Sequence, residues 1–459
     1  MTVNSVVTAH GTGTVTLNAD AGTVDLNAVT SSTAGAIAIT GNIVTQDANI
    51  STGGTGTVNV TADLVNVGDI TMASGTTTST ASGNITYTAA DDVALSLLNS
   101  TAASVSVTAT AGSITDNNGT ANNISGVDLS LTADDSIGTI DTLPLTGFEI
   151  AEVGDDSNSA GNAIEISVTS ITSVAADTIH LVQSGALTIA AGSIDIAGAA
   201  AGMAILQATG DLDAGAVNSI ALTNGDSLAL ISGATLTIPA AGFNAGSGDL
   251  RMIGVSDVVG GASLDFTADD LYFRSGGAAG DELLNTTVNT ITARLAANDI
   301  TINETNAITL TEVTTTDGDV TVSTSNAGDM TVGRNVPPPP TNGVTAGGSH
   351  LVTLTAAGAI LDGNGATVNV TATSLNASAA TGIALGTSVD NLTATNSTSG
   401  NIAIEEGSGL TINGTGVRTL AGNGNINIDV NAAGLTVNSV VTAHGAGTED
   451  GRPLPEHVA

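Results

Sequence analysis

Two copies of a D-x-N-G motif, at 116–119 and 362–365, place Asp and Asn oxygens at alternate positions before a glycine. Oxygen ligands with this spacing can begin a calcium-binding loop. No Glu follows at the distance that an EF-hand requires, and the calcium-binding nonapeptide GGxGxDxUx is absent. We therefore expect an Asx-turn at a corner of the chain, with calcium binding as the alternative.

Three Asp pairs, at 91–92, 134–135 and 269–270, each end the tripeptide ADD. Pairs aligned in neighbouring turns of a repeat could share a cation, because carboxylates are hard oxygen ligands. The first two pairs, however, stand two units apart in the repeat described below. We expect these pairs to be solvated corners of the fold.

The main aromatic cluster is LDFTADDLYFR at 264–274. Pairing DLRM at 249–252 with DLYF at 270–273 would put Arg251 beside Tyr272, where cation–π stacking explains the cluster. Glycosidases and polysaccharide lyases instead need paired carboxylates beside a basic or aromatic subsite. The best set for that chemistry comprises Asp249, Arg251, Asp270, Tyr272 and Arg274.

Most other chemistry is excluded by composition. The chain has no Cys and no Lys, so it has no thiolate nucleophile, no thiolate metal site, no Schiff base and no P-loop. Its five histidines, at 10, 180, 350, 444 and 457, show no HExxH or clustered spacing. We expect no catalytic, cofactor-binding or metal-binding residue, and no enzymatic activity.

The chain carries 43 acidic residues against 6 basic ones, a net charge of −37. A polyanion does not hold phosphate backbones, so nucleic acid is not an expected partner. The longest apolar stretch, IAGAAAGMAIL at 196–206, is too short to cross a bilayer, so we expect no membrane insertion. MTVNSVVTAHG has no basic segment and no apolar h-region, so any export signal is expected outside this sequence.

Short segments that alternate apolar and polar residues recur at a nearly constant spacing along the chain. Period-two alternation bounded by Gly, Asn and Asp predicts β-strands and turns, and a fixed period of this length predicts a repeat architecture. The sequence therefore predicts an all-β parallel β-helix, or β-solenoid, of about 20 coils of about 22 residues. The alternating segments include TVTL at 14–17, AIAI at 36–39, TVNV at 57–60, ITYT at 85–88, VSVT at 105–108, VDLSL at 127–131, DMTV at 329–332 and LVTL at 351–354.

The decapeptide TVNSVVTAHG occurs at 2–11 and again at 436–445. This identity indicates slightly more than one unit of a longer repeat, cut from or evolved within a larger array. We predict a continuous solenoid over 1–447. The four prolines of RNVPPPPTNG predict a polyproline-like loop insertion at about 333–348, because proline cannot pair in a central strand. The last residues, 448–459, are predicted to be an unstructured tail.

The Thr-, Asn- and Gly-rich coils, with turns such as TADDSIGT and TAAGAILDGNG, resemble the repeat regions of large secreted bacterial surface proteins. These are the filamentous-haemagglutinin-like and autotransporter-like β-solenoid adhesins. The resemblance spans about 1–447. It rests on the residue types of the coils and turns and on their period, because no family-specific motif is matched. It implies a right-handed solenoid shaft exported to the cell surface, and it carries over no functional residue.

Three functions follow as expectations. The first is a structural and adhesive shaft segment of a large repetitive bacterial cell-surface or secreted protein, with a glycan or protein receptor on a host or other surface as candidate partner. The second is a carbohydrate-active solenoid enzyme with a site near 249–274. The third is a self-assembling surface layer or fibre, in which copies associate head to tail.

Overall fold

The computed structural model describes residues 1–63, 67–140, 162–196, 201–223, 225–278, 280–334, 343–365, 367–431 and 434–445. The fold is all-β, and its parallel strands stack as a β-solenoid of about 18 turns, which confirms the predicted fold class. Within the described ranges no helix is long and apolar enough to span a membrane. The predicted tail at 448–459 lies outside these ranges.

The chain forms two compact units. The first comprises Met1–Pro239 and Ala245–Asp249, and the second comprises Ala240–Asn244 and Leu250–Ala459.

The strands of the first unit are numbered β1 to β27 in chain order. They are Thr2–Val3, Val7–Ala9, Val15–Asn18, Thr23–Leu26, Thr30–Ser32, Ile37–Gly41, Ile43–Gln46, Ile50–Thr52, Val58–Ala62, Ile70–Met72, Thr77–Thr80, Ile85–Ala89, Val93–Leu95, Leu97–Ser100, Val105–Ala109, Ile114–Asp116, Ile124–Ala133, Ser136–Ile137, Ile164–Ala176, Thr178–Gln183, Leu187–Thr188, Ile194–Ile196, Met203–Ala208, Leu212–Asp213, Ile220–Ala221, Ser227–Ser232 and Thr235–Thr237.

Each coil in the early part of this unit consists of three strands, which lie on three different faces. Strands β4, β5 and β6 pair in parallel with β7, β8 and β9, and these pair with β10, β11 and β12. The spacing between register partners on one face stays close to the predicted period. These successive partners are Val24, Val44, Ile70, Val93 and Ile114.

The predicted alternating segments of the first unit stack on one another in a single ladder. Their apolar positions face the interior and are buried, while the residues between them alternate outward. No single coil can bury its own apolar face, so the aligned side chains of neighbouring coils form the core. The aligned residues are Val15, Ile37, Val58, Ile85, Val105 and Leu129.

A large interior side chain needs a polar partner at its tip. Tyr87 is fully buried between Val60 and Val107, and burial raises the pKa of its hydroxyl. The Tyr87 hydroxyl donates to Gln46 Oε1 at 2.7 Å and lies 2.6 Å from Thr78 Oγ1. The coil therefore admits one aromatic ring where a neighbouring face supplies hydrogen-bond partners.

The strands of the second unit are numbered β28 to β46. They are Phe243–Asn244, Leu250–Gly254, Asp257–Val259, Leu264–Ser275, Glu282–Leu295, Ile300–Glu304, Ile308–Thr315, Val320–Thr324, Met330–Val332, Gly343–Ala346, Leu351–Ala356, Ile360–Asp362, Val370–Ala379, Ile383–Asn396, Ile402–Glu406, Leu410–Thr419, Ile426–Val430, Leu435–Val437 and Val441–Thr442.

The predicted segments at 329–332 and 351–354 do not pair with each other, although they stand one predicted period apart. Met330 pairs with Ile360, and Val352 pairs with Val320. The chain between them contains the predicted insertion at 333–348, so this coil is longer than the others. Two segments one period apart in sequence therefore no longer occupy the same position in successive coils. Within the insertion, Gly343–Ala346 is a strand that pairs with β34, and 335–342 lie outside the described residues.

Candidate functional site

The predicted pairing of Arg251 with Tyr272 is confirmed. The two residues are register partners in β29 and β31, and the Arg251 guanidinium carbon lies 4.8 Å from the centre of the Tyr272 ring. Arg294, from the next strand, lies 5.9 Å from the same ring. Arg251 and Tyr272 are both buried, and burial lowers the pKa of Arg251. The basic and aromatic residues therefore form a cation–π ladder within the second unit.

The carboxylates of the predicted carbohydrate site are not both in this unit. Asp270 accepts a hydrogen bond from Thr290 Oγ1 at 2.5 Å, within the second unit. Asp249 belongs to the first unit, where its backbone N–H donates to Ser227 Oγ at 3.0 Å. Arg274 lies in register with Arg294. The second unit thus contains the predicted cationic and aromatic residues with one of the two predicted carboxylates.

A different pair of carboxyl groups meets in this region, and sequence reasoning missed it. Asp257 begins β30, Glu282 begins β32, and Ser275 ends β31 between them. Ser275 Oγ lies 3.0 Å from Asp257 Oδ1 and 2.8 Å from Glu282 Oε1. The exposed fractions of Asp257, Glu282 and Ser275 are 4%, 7% and 2%. Two carboxyl groups therefore share one hydroxyl in a buried setting.

A tight turn brings Asp257 to this position. A Cβ at Gly254 would lie 1.8 Å from the Asp257 carbonyl oxygen, so only glycine permits the turn between β29 and β30. Asp257 then caps its own strand, because its Oδ1 accepts the Val258 backbone N–H at 3.1 Å.

Ser275 is the hydrogen-bond donor that the two carboxyl groups share. Ser275 has one O–H, and its oxygen already accepts the backbone N–H groups of Val258 and Gly277, both at 3.2 Å. One hydroxyl proton cannot satisfy two carboxylate oxygens. Burial raises the pKa of Glu282 to about 7, the Ser275 hydrogen bond opposes that shift, and the charge of Asp257 adds to it. Glu282 therefore titrates near neutral pH.

A cleft of about 280 Å³ lies beside this pair. It is lined by 257–264 and 280–283, so both carboxyl residues belong to its wall. Asp281 also lines it, and the Asp281 carboxylate accepts the Asp299 backbone N–H at 3.1 Å. The arrangement supplies a hydrogen-bond donor and acceptors to a small polar group, which is the chemistry that sugar hydroxyls require.

The D-x-N-G motifs form the predicted Asx-turns. Asp116 Oδ1 accepts the Asn118 backbone N–H at 2.7 Å, and Asp362 Oδ1 accepts the Asn364 backbone N–H at 2.9 Å. The glycines that end the motifs, at 119 and 365, have φ of 67° and 69°, where glycine is favoured. Among the described residues no group of three or more His, Cys, Asp or Glu side chains is arranged to hold a metal ion.

Each motif also has an asparagine partner that sequence reasoning missed. Asn123 and Asn369 are fully buried, and each stands at the same distance after its motif's Asp. Asn369 Nδ2 donates to Asp362 Oδ1 at 3.0 Å and to the Val332 carbonyl at 2.7 Å, while its Oδ1 accepts the Gly386 N–H at 2.6 Å. One side chain thus joins three successive coils, and the repeated spacing was the signal that could have revealed it.

The Asp pairs at 91–92 and 134–135 lie at bends between strands, as predicted, whereas the pair at 269–270 lies within the strand Leu264–Ser275. Val93, Ile114 and Ile137 are successive register partners, so the pairs at 91–92 and 134–135 are two coils apart, as expected. Asp92 Oδ1 accepts the Ser113 backbone N–H at 2.7 Å from the coil between them. Burial and the neighbouring carboxylates raise the pKa of Asp91.

One histidine of the second unit has acidic partners. His350 Nε2 lies 2.8 Å from Asp317 Oδ1, and His350 Nδ1 lies 3.1 Å from Asp319 Oδ1. The hydrogen bond to Asp317 contributes most to raising the pKa of His350. The repeated histidine of the decapeptide differs, because His444 Nδ1 lies 3.2 Å from the Gly422 carbonyl oxygen.

The fold defines the chain as a parallel β-solenoid repeat protein. Comparisons with protein families, with curated proteins and with solved structures find no match to it.

Proposed function

We propose that this chain is a structural and adhesive shaft segment of a large repetitive protein, exported to a bacterial cell surface or secreted, with no catalytic role. A solenoid is suited to this role because each coil contacts only its neighbours, so length can be added without a change of fold. A glycan or protein on the opposing surface is the proposed receptor.

The observation that carries the proposal is the recurrence of one coil geometry in two distant parts of the chain. The decapeptide at 2–11 forms the strands Thr2–Val3 and Val7–Ala9. Its identical copy at 436–445 lies in the strands Leu435–Val437 and Val441–Thr442. Equal sequence occupies an equal place in a coil, as expected for a repeating shaft.

The outer faces support the adhesive part. Asn413 Nδ2 donates to Asn391 Oδ1 at 2.6 Å, and Asn438 Nδ2 donates to Asn413 Oδ1 at 3.4 Å. Such ladders present regularly spaced amides, which bind hydroxyl and amide groups of a receptor. Binding of the labelled chain to an array of glycans and surface proteins tests this part, and binding to none of them would remove the adhesive role.

The shaft itself is tested by adding length. Residues 436–445 repeat residues 2–11, so inserting a copy of residues 12–62 after Gly445 gives a second copy of the whole stretch 2–62. We expect the inserted residues to fold as further coils, with added β-sheet circular dichroism and protection from protease. The matched control inserts the same residues in shuffled order. Digestion of both insertions at equal rates would contradict the proposal.

A carbohydrate-active enzyme is the second candidate, and the Asp257–Glu282 pair beside the cleft favours it. Glycoside cleavage uses one protonated carboxyl as the acid and one carboxylate as base or nucleophile. The test is depolymerisation of acidic and neutral polysaccharides, with and without calcium, by the natural chain and by Glu282→Gln. Cleavage that falls at least 100-fold in the variant would support this candidate, and no cleavage by the natural chain would remove it.

A further inference from the structure

Three polar side chains meet in the interior of the first unit. Gln46 ends β7, Thr78 lies in β11 and Tyr87 lies in β12, and all three are fully buried. Because β7 pairs with β10 and β8 pairs with β11, Gln46 belongs to one coil while Thr78 and Tyr87 belong to the next. The cluster therefore places a hydroxyl group of one coil against the carboxamide of its neighbour.

The Thr78 hydroxyl lies against both polar atoms of the Gln46 carboxamide. Thr78 Oγ1 is 3.0 Å from Gln46 Nε2 and 3.3 Å from Gln46 Oε1. Gln46 Cδ is joined to these atoms by bonds of about 1.3 and 1.2 Å, so Thr78 Oγ1 lies within about 3.5 Å of Cδ. An oxygen at this separation from a carbonyl carbon is close to the position from which a hydroxyl attacks it.

The hydrogen bonds of the cluster form a closed ring. Gln46 Nε2 donates to Thr78 Oγ1, and the Tyr87 hydroxyl donates to Gln46 Oε1 at 2.7 Å. Since this bond uses the single proton of Tyr87, the 2.6 Å contact between the two hydroxyls is donated by Thr78. Burial raises the pKa of Tyr87, so its hydroxyl stays neutral. Tyr87 can thus take the proton of Thr78 while it gives its own to Gln46 Oε1.

A second buried glutamine of the first unit is bound differently. Gln183 Nε2 donates to the carbonyl oxygens of Val168 and Ala186 at 2.9 and 3.1 Å, and Gln183 Oε1 accepts the Val168 N–H at 3.2 Å. Its carboxamide is held by backbone groups, as a structural role requires. Within the described part of the chain, the carboxamide of Gln46 instead bonds only to the hydroxyls of Thr78 and Tyr87.

We propose that Thr78 and Gln46 join in an ester crosslink between neighbouring coils. Thr78 Oγ1 bonds to Gln46 Cδ, and the bond from Cδ to Nε2 breaks. The hydroxyl proton of Thr78 enters the ring through Tyr87, and a proton ends on the departing nitrogen, so the products are an ester and ammonia. No oxidant, metal or other reactant is required. Holding both groups in one chain replaces a bimolecular encounter and so favours the reaction.

The crosslink goes beyond the proposed function, because a solenoid shaft needs no covalent bond between its coils. An ester between 46 and 78 closes a loop of the chain and constrains the unfolded state, as a disulfide does in other proteins. This chain has no cysteine with which to form a disulfide. The ester would therefore give the shaft a covalent staple by other means.

The test begins with the mass of the purified full chain, measured by intact mass spectrometry. The chain is then digested with a protease that cleaves before aspartate, which separates Gln46 from Thr78 at three intervening residues, Asp47, Asp63 and Asp69. We expect the natural chain to lack the mass of one ammonia. We expect its digest to contain the peptides 25–46 and 69–90 as a linked pair, which hydroxylamine separates.

Variants of the full chain assign the bond to its residues. Thr78→Ser keeps a hydroxyl and should still give the linked pair, whereas Thr78→Val should have its full mass and give separate peptides. The matched control is Thr80→Val, which changes another buried threonine of the same strand, whose Oγ1 donates to the Gly83 carbonyl oxygen. This control should keep the pair linked. After refolding, Tyr87→Phe should form the pair at least tenfold more slowly than the natural chain.

A natural chain that has its full mass and gives two separate peptides would overturn the proposal. Loss of ammonia without linkage would also overturn it, because cyclisation at an Asn–Gly sequence removes the same mass and leaves the peptides separate. A linked pair that persists in Thr78→Val would place the bond at another residue and would contradict the assignment. Equal rates in Tyr87→Phe and the natural chain would overturn the proton transfer through Tyr87.

Discussion

Two regions of the second unit bury a glutamate in opposite ways. Glu406 is fully buried, and its carboxylate accepts hydrogen bonds from Thr387 Oγ1, the Val389 N–H and both the N–H and the hydroxyl of Ser408 at 2.6–3.1 Å. Glu282 is buried almost as deeply, but it shares the single hydroxyl of Ser275 with Asp257. Similar burial thus leaves a glutamate with several hydrogen-bond donors in one coil and a glutamate with a raised pKa in another.

The difference lies in the supply of donors. Glu304 follows the pattern of Glu406, because its carboxylate accepts the backbone N–H groups of Val288 and Asn306 at 3.1 and 2.9 Å. These glutamates stabilise the coil corner because their carboxylates accept hydrogen bonds from its backbone N–H groups. At Glu282 the neighbouring group is the carboxyl of Asp257 where the other two sites have a hydrogen-bond donor. This corner therefore keeps a titratable group beside the cleft. Glu406 and Glu304 are therefore held by hydrogen-bond donors, whereas Glu282 has a raised pKa and lines a cleft.

The largest expected effect is at Glu406. The substitution Glu406→Gln replaces one carboxylate oxygen by an NH₂ group. The hydrogen-bond donors that face this oxygen then lose their acceptor. We expect a loss of about 4 kcal/mol in the free energy of unfolding at pH 8, measured by urea denaturation followed by circular dichroism. Glu282→Gln is the matched variant, and an equal loss at both positions would contradict the comparison.

The second prediction concerns pH. The pKa of Glu282 is about 7 in the folded chain and about 4.5 when unfolded, so the unfolded chain releases this proton first. The contribution of Glu282 to stability is therefore complete below about pH 4.5, declines as pH rises through 7, and is lost above it. We expect about 3 kcal/mol of decline across this window, and Glu282→Gln should abolish that part. A profile that is unchanged in the variant would contradict the raised pKa of Glu282.

The smallest effect is expected at His350, where solvent reaches both partners. Its pKa is raised, so its ion pairs contribute below about pH 6.5 and are lost as pH rises through the folded pKa. Asp317→Asn should lower the pKa of His350 in an NMR titration while hardly changing the urea midpoint. Asp20→Asn, at an exposed turn of the other unit, is the matched control. An unchanged titration in Asp317→Asn would contradict the assigned pairing.

The stacking of the coils could be predicted from sequence, but the carboxyl pair could not. Alternation identified Ile37, Val58 and Ile85 as interior positions, because period-two patterning fixes which face of a strand is buried even where the spacing between coils varies. Asp257 and Glu282 stand beside turns of irregular length, so the period gives no reason to align them. A charged residue at a strand start is usually solvated, and the burial of Asp257 and Glu282 arises from packing that the local sequence does not encode.

The insertion at 333–348 limits prediction in the same way. Where a coil gains residues, segments at the usual spacing fall on different faces, as at Met330 and Val352. The Asn369 clamp was hidden for another reason. Its bonds to the Val332 carbonyl and the Gly386 N–H reach other coils, and only the equal distance of Asn123 and Asn369 from the Asp of their motifs marks them in the sequence.

The central claim is that this chain is a length of repeating shaft. A further coil should therefore be able to stack on the coil that contains 436–445. Hydrogen exchange of the peptide that contains Val437, in the natural chain and in the chain extended by residues 12–62, tests it most directly. We predict that exchange slows at least tenfold on extension, to the rate of the peptide that contains Val3. An unchanged rate, with the shuffled insertion as control, would mean that the coil does not accept a successor and would contradict the account.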